Sequence, residues 1–295
     1  MTATPEVARA TLIGATAVLL WATLALLTTL SGAVPPFQLV AMAFGLAFLL
    51  ALGGWLLRGE PVAAHLRQPT QVWALGAGGL FGYHFFYFMA LRNAPPVEAS
   101  LINYLWPLLI VLFSALLPGE RLRWFHVAGA LAGLAGTMLL IAGDGAAGFA
   151  GAYWLGYLAA FACAFVWAGY SVLSRRFGQV PTHAVGGFCG ATALLAFICH
   201  LLFETTVWPV GGQWLAVLAL GLGPVGAAFF VWDHGVKRGD IRALGAFAYA
   251  APLLSTVLLV AFGQGAATWR VAVACLLITG GAALAAGDLL RGRPR

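Results

Sequence analysis

Apolar runs of about 20 residues recur along this chain almost from end to end, and they constrain the solvent before they constrain the fold. A helix rises 1.5 Å per residue, so each run is long enough to cross a ~30 Å hydrocarbon core. The runs lie near residues 10–30, 37–57, 72–91, 97–117, 125–143, 152–174, 184–203, 213–234, 242–262 and 270–289. The pieces between them are too short to hide a soluble domain. Charged residues make up 8% of the 295 positions, against roughly 25% in an ordinary soluble domain. Most of the surface therefore faces lipid, and the expected fold is an all-α integral membrane protein with ten transmembrane helices. The first run is span-length and lacks a convincing small-residue cleavage site, so it reads as the first helix and not as a removable leader.

The loops carry the charge unevenly. With ten spans, one side receives Arg9, Arg58, Arg67, Arg121, Arg123, Arg175, Arg176, Lys237, Arg238, Arg242, Arg291, Arg293 and Arg295, whereas the other keeps Arg92 and Arg270. This bias predicts that both termini are cytoplasmic, and it explains the net charge of +6 without a nucleic acid or other acidic partner. Dropping one span would scramble the bias, which supports an even helix count. Cys163, Cys189, Cys199 and Cys275 all fall within apolar runs with no C-x-x-C spacing. They read as small buried hydrophobes, with no disulfide framework, metal site or cofactor expected.

Self-comparison reveals a duplication. WATLALLTTLSGAVP (21–35) lies over WAGYSVLSRRFGQVP (167–181), pairing Trp21 with Trp167, Gly32 with Gly178 and Pro35 with Pro181. Further along, Phe85 pairs with Phe230, Tyr104 with Tyr249, Pro107 with Pro252 and Trp124 with Trp269. Tryptophans, tyrosines and prolines in register over two long blocks are hard to obtain by chance, although apolar Gly-rich helices do align loosely. The expected units are residues 1–145 and 146–295, five helices each. An odd number of helices makes the second copy start on the opposite face, so the repeats are inverted.

An aromatic residue in mid helix one, the stretch ASLINYLWPLL followed by PGERL, and a Gly-rich fifth helix together resemble the drug/metabolite transporter superfamily, EamA type, over nearly the whole chain. Within it, GYHFFYFMALRNAPPVEASLINYLWPLL (82–109) is similar to the bacterial aromatic amino acid exporters of the YddG kind. The resemblance implies a central cavity lined by both halves and export of aromatic amino acids and related compounds across a bacterial inner membrane.

The candidate site residues follow from polarity inside apolar helices. Tyr83, His84 and Tyr87 share overlapping faces of helix three. A histidine near mid-bilayer needs a partner in the bundle or a water-filled cavity. A helix-to-helix hydrogen bond would satisfy it equally. His84 is also the candidate proton-responsive group. Helix four offers Asn103 for a substrate amino or carboxylate group, Tyr104, and Trp106 for ring stacking. Trp21, Trp167, Phe247 and Tyr249 add aromatic wall, with packing as the alternative role for each. Pro107 and Pro252 remove backbone bonds and are candidate hinges. Asp233 and Lys237 near the end of helix eight are a candidate gate or ion pair, with Lys237 expected to matter less than His84 or Trp106. Glu98 and Arg92 read as a solvated helix end, with a matching gate or ion pair on the opposite side as the alternative. Gly129, Gly133, Gly136 and Gly281 have the spacing of close helix packing.

These features favour a carrier of aromatic or similar neutral amino acids working by alternating access. Ten helices suffice to enclose its cavity within a monomer. Another small metabolite or a drug is the alternative cargo, but helix one lacks the buried acid of a cation antiporter. The cavity likewise lacks the Lys or Arg that a sugar nucleotide would need. An enzyme or a cofactor-binding membrane protein is the different-class alternative. No buried carboxylate pair or activated nucleophile supports it, the single Lys237 sits at a helix end, and paired histidines such as His84 and His200 occur without a haem motif.

Overall fold

The structure, a computed structural model, describes residues 5–118, 122–142, 151–261 and 268–285. Arg121, Arg291, Arg293, Arg295 and the expected repeat boundary between residues 145 and 146 lie outside the described residues. Helix is the only regular structure among those described, as expected where a backbone in hydrocarbon must satisfy its own hydrogen bonds. The rods are α1 (Pro5–Leu30), α2 (Pro36–Leu57), α3 (Thr70–Asn93), α4 (Glu98–Ser114), α5 (Trp124–Ala142), α6 (Trp154–Ser174), α7 (Val185–Phe203), α8 (Gln213–Arg238), α9 (Ile241–Leu258) and α10 (Trp269–Ala285). Among the described residues, α1, α2, α3, α6, α7, α8 and α9 belong to stretches long and apolar enough to cross a membrane, and α4, α5 and α10 are shorter apolar helices. The chain is a multi-pass membrane protein.

Glycines set which rods touch. A Cβ on Gly14 of α1 would lie 2.8 Å from the Cα of Gly235 in α8, so the two backbones meet directly. The same device joins α5 to α10, where a Cβ on Gly281 would meet the Gly129 carbonyl. Gly186 of α7 receives Ala51 and Trp55 of α2, Gly79 of α3 receives Tyr170 of α6, and Gly245 of α9 receives Ile110 and Val111 of α4. These glycines join α1 with α8, α2 with α7, α3 with α6, α4 with α9 and α5 with α10, while α4 also packs on α6 and α1 on α9.

Rods α1, α4, α8 and α9 are interrupted, α1 only at Thr23. The sequence suggests an unbroken fourth helix, but α4 opens at Tyr104–Leu105, just before Pro107. Its restarting half exposes the Leu108 N–H, which donates to the Tyr249 hydroxyl at 3.1 Å. Tyr249 itself stands at a matching break in α9 and is fully buried. In α8 a π-turn spans Gly223–Ala227, where Pro224 has no N–H to give.

Gly235→Leu would force a branched side chain into the place where the backbones of α1 and α8 touch. Overpacking of this kind costs about 1–3 kcal/mol, so the purified variant should unfold at lower temperature than wild type, whereas Gly53→Leu, whose Cβ meets nothing within 4 Å, should not.

Candidate substrate site

Because α1 and α8 approach so closely, their aromatic residues interdigitate at the bundle centre. The Trp21 ring centroid lies 6.2 Å from Trp106, 5.6 Å from Trp167 and 5.0 Å from Trp232. Trp106 lies 6.3 Å from Trp167 and 6.1 Å from Trp232, both edge to face. Four indoles from α1, α4, α6 and α8 thus form one floor. Phe229 extends it, 5.6 Å from Trp167 and 5.3 Å from Phe44. Tyr83 sits 5.4 Å from Trp167 and runs parallel to Tyr87 at 6.1 Å. The band therefore continues from the indole floor up α3.

Two indole N–H groups are spent on structure. Trp21 Nε1 donates to the Pro224 carbonyl at 3.1 Å, satisfying the acceptor that the π-turn leaves open. Trp232 Nε1 donates to Ser171 Oγ at 3.0 Å. Among the described residues, the N–H groups of Trp106 and Trp167 make no such bond. Asn103 Nδ2 donates to the Tyr83 hydroxyl at 3.2 Å, while its Oδ1 is buried with no partner among the described residues. His84 Nδ1 lies 2.7 Å from the Leu80 carbonyl, which only accepts. Nδ1 therefore carries the proton, and Nε2 is left as an acceptor. Unspent donors on the floor and unspent acceptors on the wall beside a stack of rings are the complement of a zwitterion bearing an aromatic or bulky side chain.

Below the floor, Asp233 and Lys237 form a buried pair at 2.9 Å. The Thr182 hydroxyl donates to the second Asp233 oxygen at 2.8 Å, and Lys237 Nζ donates to the Val180 carbonyl at 3.0 Å. Arg175 Nη1 donates to the Val236 and Gly239 carbonyls. The segment joining α6 to α7 is thereby clasped to α8 at the end of the bundle rich in arginine.

The structure thus gathers Trp21, Trp106, Trp167, Tyr83, His84, Tyr87 and Asn103. Tyr104 is half-buried at the α4 break, with no hydrogen bond from its hydroxyl among the described residues. Phe247 packs against the core, with no ring contact to the band among the described residues, and the Tyr249 hydroxyl is committed to Leu108. Pro107 and Pro252 lie just beyond the breaks in α4 and α9. Trp232, Phe229 and Phe44 are not singled out by the sequence. The spacing that puts Phe229 on one face with Trp232 (i+3) and with Asp233 (i+4) is the signal that could have found the two aromatics of α8. Glu98 is not a solvated end but buried, at 8% exposure, while Arg92 is exposed.

The profile of EamA-like transporters matches this chain twice, over residues 8–142 and 154–287. The chain belongs to the EamA-like transporter family. Among relatives of this transporter, the aromatic amino acid exporter YddG of Ancylobacter novellus is 62% identical over 277 residues, covering 94% of this chain and 96% of that protein. The aromatic amino acid exporter YddG of Escherichia coli is 25% identical over 293 residues, 94% and 96% of the respective lengths. A solved crystal structure, 61% identical, superposes with a TM-score of 0.89 and covers 94% of this chain and 97% of that one. The named relatives are exporters or transporters, not enzymes.

The burial of Lys237 against Asp233 gives this pair more weight than its place near a helix end suggests, since removing one partner of a buried pair typically costs about 3–5 kcal/mol. Lys237→Met should lower the thermal midpoint markedly, and Asp233→Asn with Lys237→Met together should recover part of the loss. A wild-type midpoint in the single variant would contradict the pairing.

Proposed function

We propose that this transporter exports aromatic or similarly sized neutral amino acids across a bacterial inner membrane, by alternating access between two inverted five-helix halves of a ten-span bundle. The observation that carries this reading is the indole floor flanked by unspent polar atoms: Asn103 Oδ1 and His84 Nε2 on one wall, Trp106 and Trp167 N–H groups below. An ammonium group would meet the acceptors, a carboxylate the indole N–H groups, and the side chain would lie against the rings, with no full charge supplied by the protein at that depth. The Ancylobacter novellus exporter, matched over nearly its whole length, supports the same cargo.

The double family match supports units on either side of residue 145. Helix pairing supports a two-fold relation between the halves: if α6–α10 copy α1–α5, the α1–α8 pair maps onto α6–α3, and the α2–α7, α4–α9 and α5–α10 pairs map onto themselves; five helices in each half would make that relation an inversion. The arginine-rich end is assigned to the cytoplasm by the charge bias. In this arrangement the floor and the Asp233–Lys237 clasp close the cytoplasmic side. Opening inward requires the clasp to break, with Pro107, Pro252 and the Pro224 π-turn as the bending points. A monomer contains every element of the site. The probable terminal-alkyne amino-acid exporter of Streptantibioticus cattleyicolor, 24% identical over 191 residues, supports a second reading in which the cargo is a non-aromatic amino acid with a rigid apolar side chain.

Proteoliposomes loaded with labelled phenylalanine test the first reading. Wild type should release the label well above empty liposomes. Trp106→Ala and His84→Ala should each reduce release at least ten-fold, a loss of about 1.4 kcal/mol or more in transition-state stabilisation, while still inserting and folding. Release that responds to an imposed pH gradient in wild type but not in His84→Ala would place proton coupling at His84. Full activity in both variants would remove α3 and α4 from the site.

A further inference from the structure

On the far side of α8 from the aromatic floor, a cavity of about 300 Å³ opens between α2 and α8 toward the outside of the bundle. Its presence follows from the backbone. The π-turn at Gly223–Ala227 widens α8, and α2 presents the small residues Ala47, Ala51 and Gly54 along the floor of the groove, with Leu50 and Trp55 beside them. Leu50 and Trp55 of α2 and Leu222 and Phe230 of α8 flank the groove without closing it, so it stays open to the surroundings of the bundle. The walls are apolar, so the natural filling is a hydrocarbon chain from the surrounding bilayer.

One end of the groove is different. Arg58, just past the end of α2, folds back so that its Nη1 and Nη2 would lie 3.5 and 3.7 Å from a Cβ on Gly54. Its Nε donates to Glu60 Oε1 at 2.9 Å, but neither Nη makes a hydrogen bond among the described residues. The other Glu60 oxygen is taken by His65 Nε2 at 2.8 Å, and the hydrogen bond from Arg58 holds this carboxyl below the usual range. His65 stacks flat on Trp55 at 4.5 Å, and His183, 5.9 Å from His65, completes the rim. The single carboxylate is thus fully engaged, while a guanidinium edge with two free amino groups faces the groove mouth. That edge matches two oxygens of a phosphodiester. The rim also favours a headgroup that carries no cation of its own, because choline or ethanolamine would bring positive charge against Arg58. The site lies at the arginine-rich end of the bundle, the depth at which polybasic segments meet anionic headgroups.

We propose that the groove between α2 and α8 is a binding site for one anionic phospholipid, its acyl chain along Ala47, Ala51 and Gly54 and its phosphate held by Arg58. The lipid would brace the outer face of the π-turn whose inner face is fixed by Trp21.

The test is native mass spectrometry of the purified protein, delipidated and then exposed to equal amounts of phosphatidylglycerol and phosphatidylcholine with the same chains. Wild type should retain phosphatidylglycerol at least five-fold over phosphatidylcholine. Arg58→Gln should bind both about equally, and Gly54→Leu, which fills the groove, should lose both. Gly53→Leu, one residue away and outside the groove lining, should behave as wild type. Because Arg58→Gln leaves the packed interior untouched, it decides the question even if Gly54→Leu folds poorly. Equal retention of the two lipids by wild type, or a preference that survives in Arg58→Gln, overturns the proposal. So does displacement of the lipid by phenylalanine, which would make the groove a side entrance for cargo, or equal binding of glycerol phosphate alone, which would make it a free-anion site.

Discussion

A backbone N–H or C=O left open in hydrocarbon costs several kcal/mol, and this bundle is organised around the places where its helices leave such groups open. The π-turn of α8 frees the Pro224 carbonyl, and Trp21 of α1 supplies the donor. The restart of α4 frees the Leu108 N–H, and Tyr249 of α9 supplies the acceptor. In each case the missing bond is made by a side chain from the other half of the chain. The soft points of individual rods are therefore also the points at which the halves are tied together.

The same bonds position the candidate site. Trp21 satisfies Pro224 and also touches the other three indoles of the floor, so a shift of the α8 π-turn cannot leave the ring arrangement unchanged. The lower half of α8 carries Phe229 and Trp232 into the floor and Asp233 and Lys237 into the clasp beneath it, all within three turns. A cargo that alters the packing of the indoles acts on the element that holds the clasp. Backbone satisfaction, the candidate substrate wall and the proposed closure are thus linked through one helix segment.

Much of the wall on α3 and α4 is legible in the sequence because polarity is conspicuous in an apolar helix: Tyr83, His84 and Asn103 stand out when nearly everything around them is Phe, Leu, Ala or Gly. Trp21 and Trp167 stand out through their pairing in the repeat. Trp232 and Phe229 do not, since an aromatic residue in a membrane helix carries no mark of whether it faces lipid or the centre. Tyr249 shows the converse difficulty. Its repeat partner Tyr104 suggests a matching place in the wall, yet its hydroxyl caps a helix half. Glu98 shows a third. Near a helix start it reads as solvated, but the packing of α4 between its neighbours buries it.

By itself the sequence determined the solvent, the helical class and the charge bias, because each depends on local composition measured against the apolar interior of a bilayer. It also carries tryptophans, tyrosines and prolines paired at a near-constant offset, the pattern that the proposed duplication explains. The tertiary structure decided which breaks are answered by which side chains, that α1 and α8 approach through Gly14 and Gly235, and that four indoles from four rods share one floor. Those outcomes depend on meetings between residues far apart in the chain, such as Trp21 with Pro224, and local pattern carries no information about which distant group will arrive to complete an open hydrogen bond.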